Sequence, residues 1–289
     1  MKTAILIDTG ANVLDIKDEN VFYIPIGLTI KEHGCNEVFK DDVDAVSQED
    51  LKNLMLRKAS IKTSLPQPGR VIEKVNELFT KYDRVIILTL SSGISGYFKS
   101  LDLVKNEFKN KNLLCLDSRS VSVGILWIVE TINEALRNNE NISNDEIKMI
   151  VEKNANLIKG GLIVSDLNQL VSGGRISKIK AAFAKLFGFK LFIKWDGDLE
   201  FISKAPSIRT SLKNLLDKTN ELNQFRTKGI KKIVLLTDYE NKEQIESLKE
   251  LVIELLDIDH PPFNYSYLPG CIYAHVGVNN FAILIESNE

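Results

Sequence analysis

The sequence has little from which to build a cross-linked, metal-bound or membrane-spanning protein. Its three cysteines, Cys35, Cys115 and Cys271, are scattered over 289 residues and form neither a disulfide framework nor a zinc pattern. It has only three histidines, and although His33 stands close to Cys35, two ligands do not make a metal site. No apolar run approaches the roughly 20 residues of a membrane span. The opening Met1-Lys2-Thr3-Ala4-Ile5-Leu6-Ile7-Asp8 meets charge too early for a secretory signal and reads as a first strand. A net charge of −2 gives no general attraction to nucleic acid. There is no Walker motif, no G-x-G-x-x-G and no G-x-S-x-G elbow, so the sequence gives no sign of nucleotide chemistry and little of a serine hydrolase. The expectation is a soluble, cytoplasmic protein with no cofactor and no metal.

What is present is globular, with 44% hydrophobic and 26% charged residues and length enough for two domains. Apolar strand-like runs at Ala4–Asp8, Phe22–Ile30, Arg84–Leu90 and Leu113–Asp117 alternate with helical periodicity at Gln48–Arg57, Arg70–Tyr82, Tyr97–Lys109 and Val121–Arg137. Ser47 is a natural N-cap, and Ser143 with Glu146 forms a capping box for a helix running to about Leu157. Two prolines mark Lys62–Gly69 as a loop. From Gly160 the pattern changes. Asp196-Gly197 joins two apolar runs as a hairpin, and further helices and strands follow. The expected fold is α/β in two domains: residues 1–157 with a Rossmann-like parallel sheet, and residues 158–289 as an α+β domain with a largely antiparallel sheet.

Ser91-Ser92-Gly93-Ile94-Ser95-Gly96 is the most informative stretch. It follows a buried strand and precedes a helix, which places it at the carboxyl edge of a parallel sheet, where α/β proteins hold ligands. Free backbone N–H groups and the helix dipole there favour an anion. Thr63-Ser64, in the proline-containing loop, gains meaning beside it, because two hydroxyl-bearing loops could converge on a carboxylate or phosphate. Asp8-Thr9 ends the first strand. With no second aspartate two residues on, it reads as an Asx-type turn rather than a nucleophile. His275 lies among small residues between strands, open to a buried structural role or a functional one. Arg175, Lys178, Lys180, Lys185, Lys190 and Lys194 form a basic segment with no acid between Asp166 and Asp196. It reads either as a solvated amphipathic helix or as a face for an anionic membrane or acidic partner.

Taken in order, these residues resemble the DegV family of bacterial lipid-binding proteins, over essentially the whole chain. The resemblance rests on Asp8-Thr9, Val21–Ile26, Thr63-Ser64 with Pro66, and the Ser91–Gly96 turn. It continues through Asp117-Ser118, Leu167–Leu170 with Gly173-Gly174-Arg175-Ile176, and His275-Val276-Gly277. It implies a carrier and not an enzyme, holding one long-chain fatty acid such as palmitate, stearate or oleate in a tunnel between two domains. The carboxylate would be gripped by Thr63, Ser92 and His275, with Ser91 and Ser64 as alternates. It further implies a separate fatty acid kinase that makes an acyl phosphate for phospholipid synthesis, and a transient encounter with an anionic membrane. Four departures stand out. Leu65 replaces a common Gln and Tyr97 a common Thr, Gly277-Val278-Asn279 stands in place of a Gly-Pro-Gly run, and the family's Lys-x-Arg appears as Lys204-Ala205-Pro206, leaving Arg209 as the nearby arginine for phosphotransfer. The competing reading is a hydrolase or other enzyme acting on a small anionic substrate at the Ser91–Gly96 turn.

Overall fold

The structure, a computed structural model, describes residues 1–32, 38–41, 46–164, 170, 174, 190–238, 242–258 and 260–289. The chain divides into two compact units, Met1–Ala155 with Pro269–Ile272, and Asn156–Leu268 with Tyr273–Glu289.

The first unit contains strands β1 (Thr3–Asp8), β2 (Val21–Ile24), β3 (Gly27–Lys31), β4 (Val38–Asp41), β5 (Ser60–Ser64), β6 (Arg84–Thr89) and β7 (Leu113–Asp117). Four of them form an all-parallel sheet in the order β2-β1-β6-β7. Every residue of β1 and β6 is buried, as expected for central strands covered on both faces. Helices α1 (Gln48–Leu56), α2 (Pro68–Phe79), α3 (Tyr97–Ser100), α4 (Asp102–Glu107), α5 (Val123–Asn138) and α6 (Asn144–Leu157) make the connections. Val71, Val75 and Leu78 of α2 pack with Leu6, Val85, Ile87, Leu101 and Val104 in one apolar cluster. Both expected caps are formed. Ser47 and Asp50 close a capping box on α1, and Ser143 and Glu146 exchange the same pair of bonds at the start of α6.

The second unit holds β8 (Ile158–Val164), β9 (Lys190–Trp195), β10 (Leu199–Ala205), α7 (Ile208–Asn223), α8 (Phe225–Lys228), β11 (Ile230–Thr237), α9 (Lys242–Leu256), β12 (Phe263–Tyr267) and β13 (Phe281–Ser287). Helix α10 (Gly270–Val276) precedes β13 and contains the point where the chain passes from the first unit to the second. The sheet order is β10-β9-β8-β13-β11-β12, antiparallel except for the β11–β12 pair. Leu212, Leu215 and Leu216 of α7 and Leu248 and Val252 of α9 cover it, packing on Phe192, Ile233, Leu235 and Ile283. Gly160 and Gly161 lie in the middle of this sheet because nothing larger fits. A Cβ on Gly160 would fall 1.9 Å from the Ile283 carbonyl oxygen, and one on Gly161 would fall 2.6 Å from the Phe192 ring.

Three local expectations are corrected. The run Phe22–Ile30 is not one strand: β2 and β3 belong to different sheets, because Pro25 cannot donate to a ladder and the Ile26 N–H donates to Thr9 Oγ1 instead. Lys62-Thr63-Ser64 is not loop but the end of β5, paired antiparallel with β3 (Leu28 opposite Thr63, Gly27 opposite Ser64). The breaking effect of Pro66 begins only at Leu65. The helix expected over Tyr97–Lys109 is two short helices, with the Ser100 hydroxyl donating to the Tyr97 carbonyl at the break (2.7 Å).

Arg84 opens β6 and is fully buried. Its Nε donates to Thr3 Oγ1 (3.1 Å), and its Nη1 donates to the Ile142 carbonyl (2.7 Å) and to Asn144 Oδ1 (3.2 Å). It thereby ties the α5–α6 link to the amino end of the sheet with no carboxylate partner among the described residues. Burial pulls its guanidinium below the ordinary arginine range. Arg84→Ala is expected to destabilise the fold by about 3 kcal/mol, because it strands two buried acceptors and leaves a hole. Arg84→Met is expected to cost less than half of that, since it refills the space and removes an unpaired buried charge. Urea unfolding of both variants measures the difference.

Candidate functional site

In the parallel sheet, β1 connects to β2 on one side and β6 lies on the other, so the strand order reverses between β1 and β6. The crevice outside the carboxyl ends of such a pair is where open α/β sheets bind ligands. Two chain segments emerge there, Asp8-Thr9-Gly10 after β1 and Leu90–Gly96 after β6. Asp8 links them. Its Oδ1 accepts the Gly10 N–H (2.8 Å), which is the expected Asx turn, and its Oδ2 accepts the Leu90 N–H (2.7 Å). Gly10 leaves no space for a side chain, since a Cβ would lie 2.7 Å from Asp8 Oδ1 and 3.0 Å from Leu90. The carboxylate is fully buried, and that desolvation raises its pKa from the ordinary 3.8 to about 6 despite the N–H donors that oppose the shift.

The Ser91–Gly96 turn is organised from within. Ser91 is buried. Its N–H donates to the Ser120 carbonyl (3.1 Å), its Oγ accepts the Gly93 N–H (3.2 Å), and its carbonyl accepts the N–H groups of Ile94 (3.2 Å) and Ser95 (3.0 Å). The Ser92 N–H donates to Asp117 Oδ1 at the end of β7 (3.1 Å), the same atom that accepts the Arg119 N–H (2.9 Å). This corrects the expectation of a backbone anion cradle. The N–H groups from Ser92 to Ser95 are already engaged, and the helix that follows has four residues. An anion at this turn would have to be held by side chains, with Asp117 close beside Ser92.

Ser92 itself is exposed and its side chain projects from the turn. Thr63, half-buried, and Ser64, exposed, end β5. Leu65 carries the chain across to the serine turn, where a Cβ on Gly96 would lie 3.7 Å from Leu65 Cδ1. The two hydroxyl-bearing segments are therefore neighbours in the first unit. Tyr97 is buried within the apolar cluster. Its hydroxyl has no hydrogen-bond partner among the described residues. Burial, and secondarily the charge of Asp8, push that phenol well above the usual tyrosine range. Cys271, in the piece of the later chain that belongs to the first unit, donates its Sγ–H to the Thr9 carbonyl (3.5 Å).

In the second unit, His275 is half-buried in the last turn of α10. Arg209 is exposed and held in a two-pronged pair by Glu254 of α9, with Nη1 donating to Oε2 (2.9 Å) and Nη2 to Oε1. It would have to leave that partner to serve an incoming phosphate. Lys194 pairs with Glu200 across the hairpin. Arg175, Lys178, Lys180 and Lys185, like His33 and Cys35, lie outside the described residues. Among the described residues no three His, Cys, Asp or Glu side chains gather as a metal site, and no helix is long and apolar enough to cross a membrane.

Sequence reasoning identified the turn, the hydroxyls and the Asx geometry. It missed the Asp8–Leu90 and Asp117–Ser92 bridges, for which the only signal was an aspartate closing each of two strands.

The chain as a whole is similar to known proteins. A family profile described as "Uncharacterised protein, DegV family" matches residues 2–288. A DegV domain-containing protein of Ureaplasma parvum is 50% identical over 219 residues, covering 74% of this chain and 98% of its own. The fatty acid binding DegV family protein of Streptococcus agalactiae superposes with a TM-score of 0.82 at 22% identity, over 100% of this chain and 99% of its own. A stearic acid-binding protein of Eubacterium ventriosum superposes with a TM-score of 0.79 at 20% identity, over 98% of each chain. These two share the α/β fold described above.

The Asp8 bridge has a measurable pH signature. A carboxyl whose pKa is higher in the folded than in the unfolded chain stabilises the fold below about pH 4. That contribution is lost as pH rises through about 6. The interval from 3.8 to about 6 corresponds to about 3 kcal/mol at ~1.4 kcal/mol per tenfold change in proton affinity. Asp8→Asn carries no such term but leaves one of the two N–H donors facing an amide NH₂. Wild-type stability is expected to fall relative to Asp8→Asn between pH 4 and 7, as measured by urea midpoints across that range; parallel pH profiles would contradict it.

Proposed function

Because the chain belongs to the DegV family, we propose that it binds one long-chain fatty acid and carries it as a non-catalytic holder. The observation that carries this reading is the approach of Leu65, the residue after Thr63-Ser64, to Gly96 at the end of the serine turn. It is supported by relatives described as fatty acid binding proteins, one of them with stearic acid. In this reading Thr63 and Ser92 of the 1–157 domain donate hydrogen bonds to the carboxylate, with Ser91 and Ser64 in supporting places. His275 of the 158–289 domain is the third residue assigned to the carboxylate. The acyl chain supplies affinity: about 0.8 kcal/mol per buried CH₂ gives a sixteen-carbon chain on the order of 10 kcal/mol before ordering costs.

The finer reading is that the loaded protein, in the cytoplasm, presents the carboxylate to a separate ATP-dependent kinase. The resulting acyl phosphate enters phospholipid synthesis. Arg209 is released from Glu254 to assist, and Arg175, Lys178, Lys180 and Lys185 meet the anionic membrane from which the lipid comes. No cofactor or metal is required.

Solvent extraction and mass spectrometry of the purified protein should find a C16–C18 acid, and added palmitate, stearate or oleate should be taken up. An empty protein that takes up none of them would overturn the proposal. Thr63→Ala and Ser92→Ala each remove one hydrogen bond to an ionised group, worth roughly 1.5–3 kcal/mol, and should weaken oleate binding roughly 10- to 100-fold. Liposome pull-down with Lys178, Lys180 and Lys185 changed to Glu tests the membrane face, and undiminished capture would remove it.

A further inference from the structure

Asp238 follows β11 and is buried. Its Oδ2 accepts two bonds, from the Tyr273 hydroxyl (2.9 Å) and from the Asn279 N–H (2.8 Å). Its Oδ1 is buried with no hydrogen-bond partner among the described residues. The two donors bracket His275 in the chain. Tyr273 is in the same helix, two residues earlier, and side chains two apart on a helix point to different sides. Tyr273 is fully buried while His275 is half-buried. Asn279 has φ of +58° and lies just past the end of the helix. There Gly277, at φ +81°, donates its N–H to the Tyr273 carbonyl (2.8 Å), and Asn280 Nδ2 donates to the Val276 carbonyl (2.7 Å).

We propose that Asp238 is the positioning residue for His275, fixing the rotation of α10 through Tyr273 and the exit of the chain through Asn279. A helix of seven residues, secured in its first turn by the Cys271 bond to the Thr9 carbonyl, still needs a hold on its last turn. One carboxylate oxygen that clamps both its buried face and the loop after it sets where the opposite face presents its imidazole. The role requires an acceptor at Oδ2 and not a negative charge. Asparagine, with its carbonyl in the Oδ2 place and its NH₂ in the empty Oδ1 place, would keep both bonds in their weaker neutral form. Alanine would keep neither. The consequence for ligand binding rests on the fatty-acid reading above, whereas the consequence for the imidazole does not.

The test is a set of variants read two ways, by oleate affinity and by the ring ¹⁵N and ¹H signals of His275, one of only three histidines in the chain. Asp238→Ala should displace or broaden the His275 signals and weaken oleate binding about tenfold, while Asp238→Asn stays within about threefold of wild type. Tyr273→Phe, which keeps the Asn279 bond, should fall between them. On a His275→Ala background Asp238→Ala should add less than about twofold, because the residue it positions is gone. Unchanged His275 signals in folded Asp238→Ala overturn the proposal, as does an Asp238→Ala effect that persists undiminished without His275. Should Asp238→Ala fail to fold, unchanged His275 signals in Tyr273→Phe overturn it equally. If His275→Ala binds oleate like wild type, it is the assignment of His275 to the carboxylate that fails, and the ring signals then decide the role of Asp238 alone.

Discussion

A single buried carboxylate, Asp8, holds the carboxyl edge of the first unit's parallel sheet in shape. Parallel strands end where their ladder ends, and beyond that point nothing in the sheet fixes one emerging segment against the next. Asp8 supplies the missing bond between the segments leaving β1 and β6, taking one N–H from each. Thr9, next in sequence, does the same toward the third segment by accepting the Ile26 N–H. The cost is a negative charge kept out of water, which is why its proton affinity is raised. Two neighbouring residues thus place the β2–β3 turn and the serine turn in one frame.

That frame limits what can be bound. The turn after β6 has the composition of a phosphate-cradling loop, yet its N–H groups serve Ser91 and Asp117. What it leaves exposed is the Ser92 hydroxyl, with Leu65 of the neighbouring segment close to Gly96. Hydroxyls discriminate poorly among oxyanions and bind them weakly in water, so a ligand held there needs other sources of affinity.

Much of this was legible in the sequence, for identifiable reasons. Strands buried on both faces write themselves as unbroken apolar runs, so β1, β6 and the order of elements around them could be read directly. Capping boxes are local, and those at Ser47 and Ser143 formed as their spacing implies. The failures were non-local. Whether Thr63 belongs to a strand depends on Leu28 lying opposite, and no window around Thr63 contains that information. Whether a turn N–H is free depends on Asp117, 25 residues away. Nothing near Asp238 in the sequence marks its role, because its two donors lie 35 and 41 residues further on. The residue types of the candidate site were visible early, whereas the bonds made by Asp8, Asp117 and Asp238 emerged only from tertiary structure.

The assignment of Pro269–Ile272 to the first unit has a consequence for how the chain is made. Translation delivers residues 1–155 long before this short return segment, so the ribosome releases the amino-terminal half without its last piece. The Cys271 bond to the Thr9 carbonyl forms only once most of the other half has emerged. The usual order of vectorial folding, in which the earlier half is completed first, does not apply, and a gene fragment ending near residue 157 would encode an unfinished body.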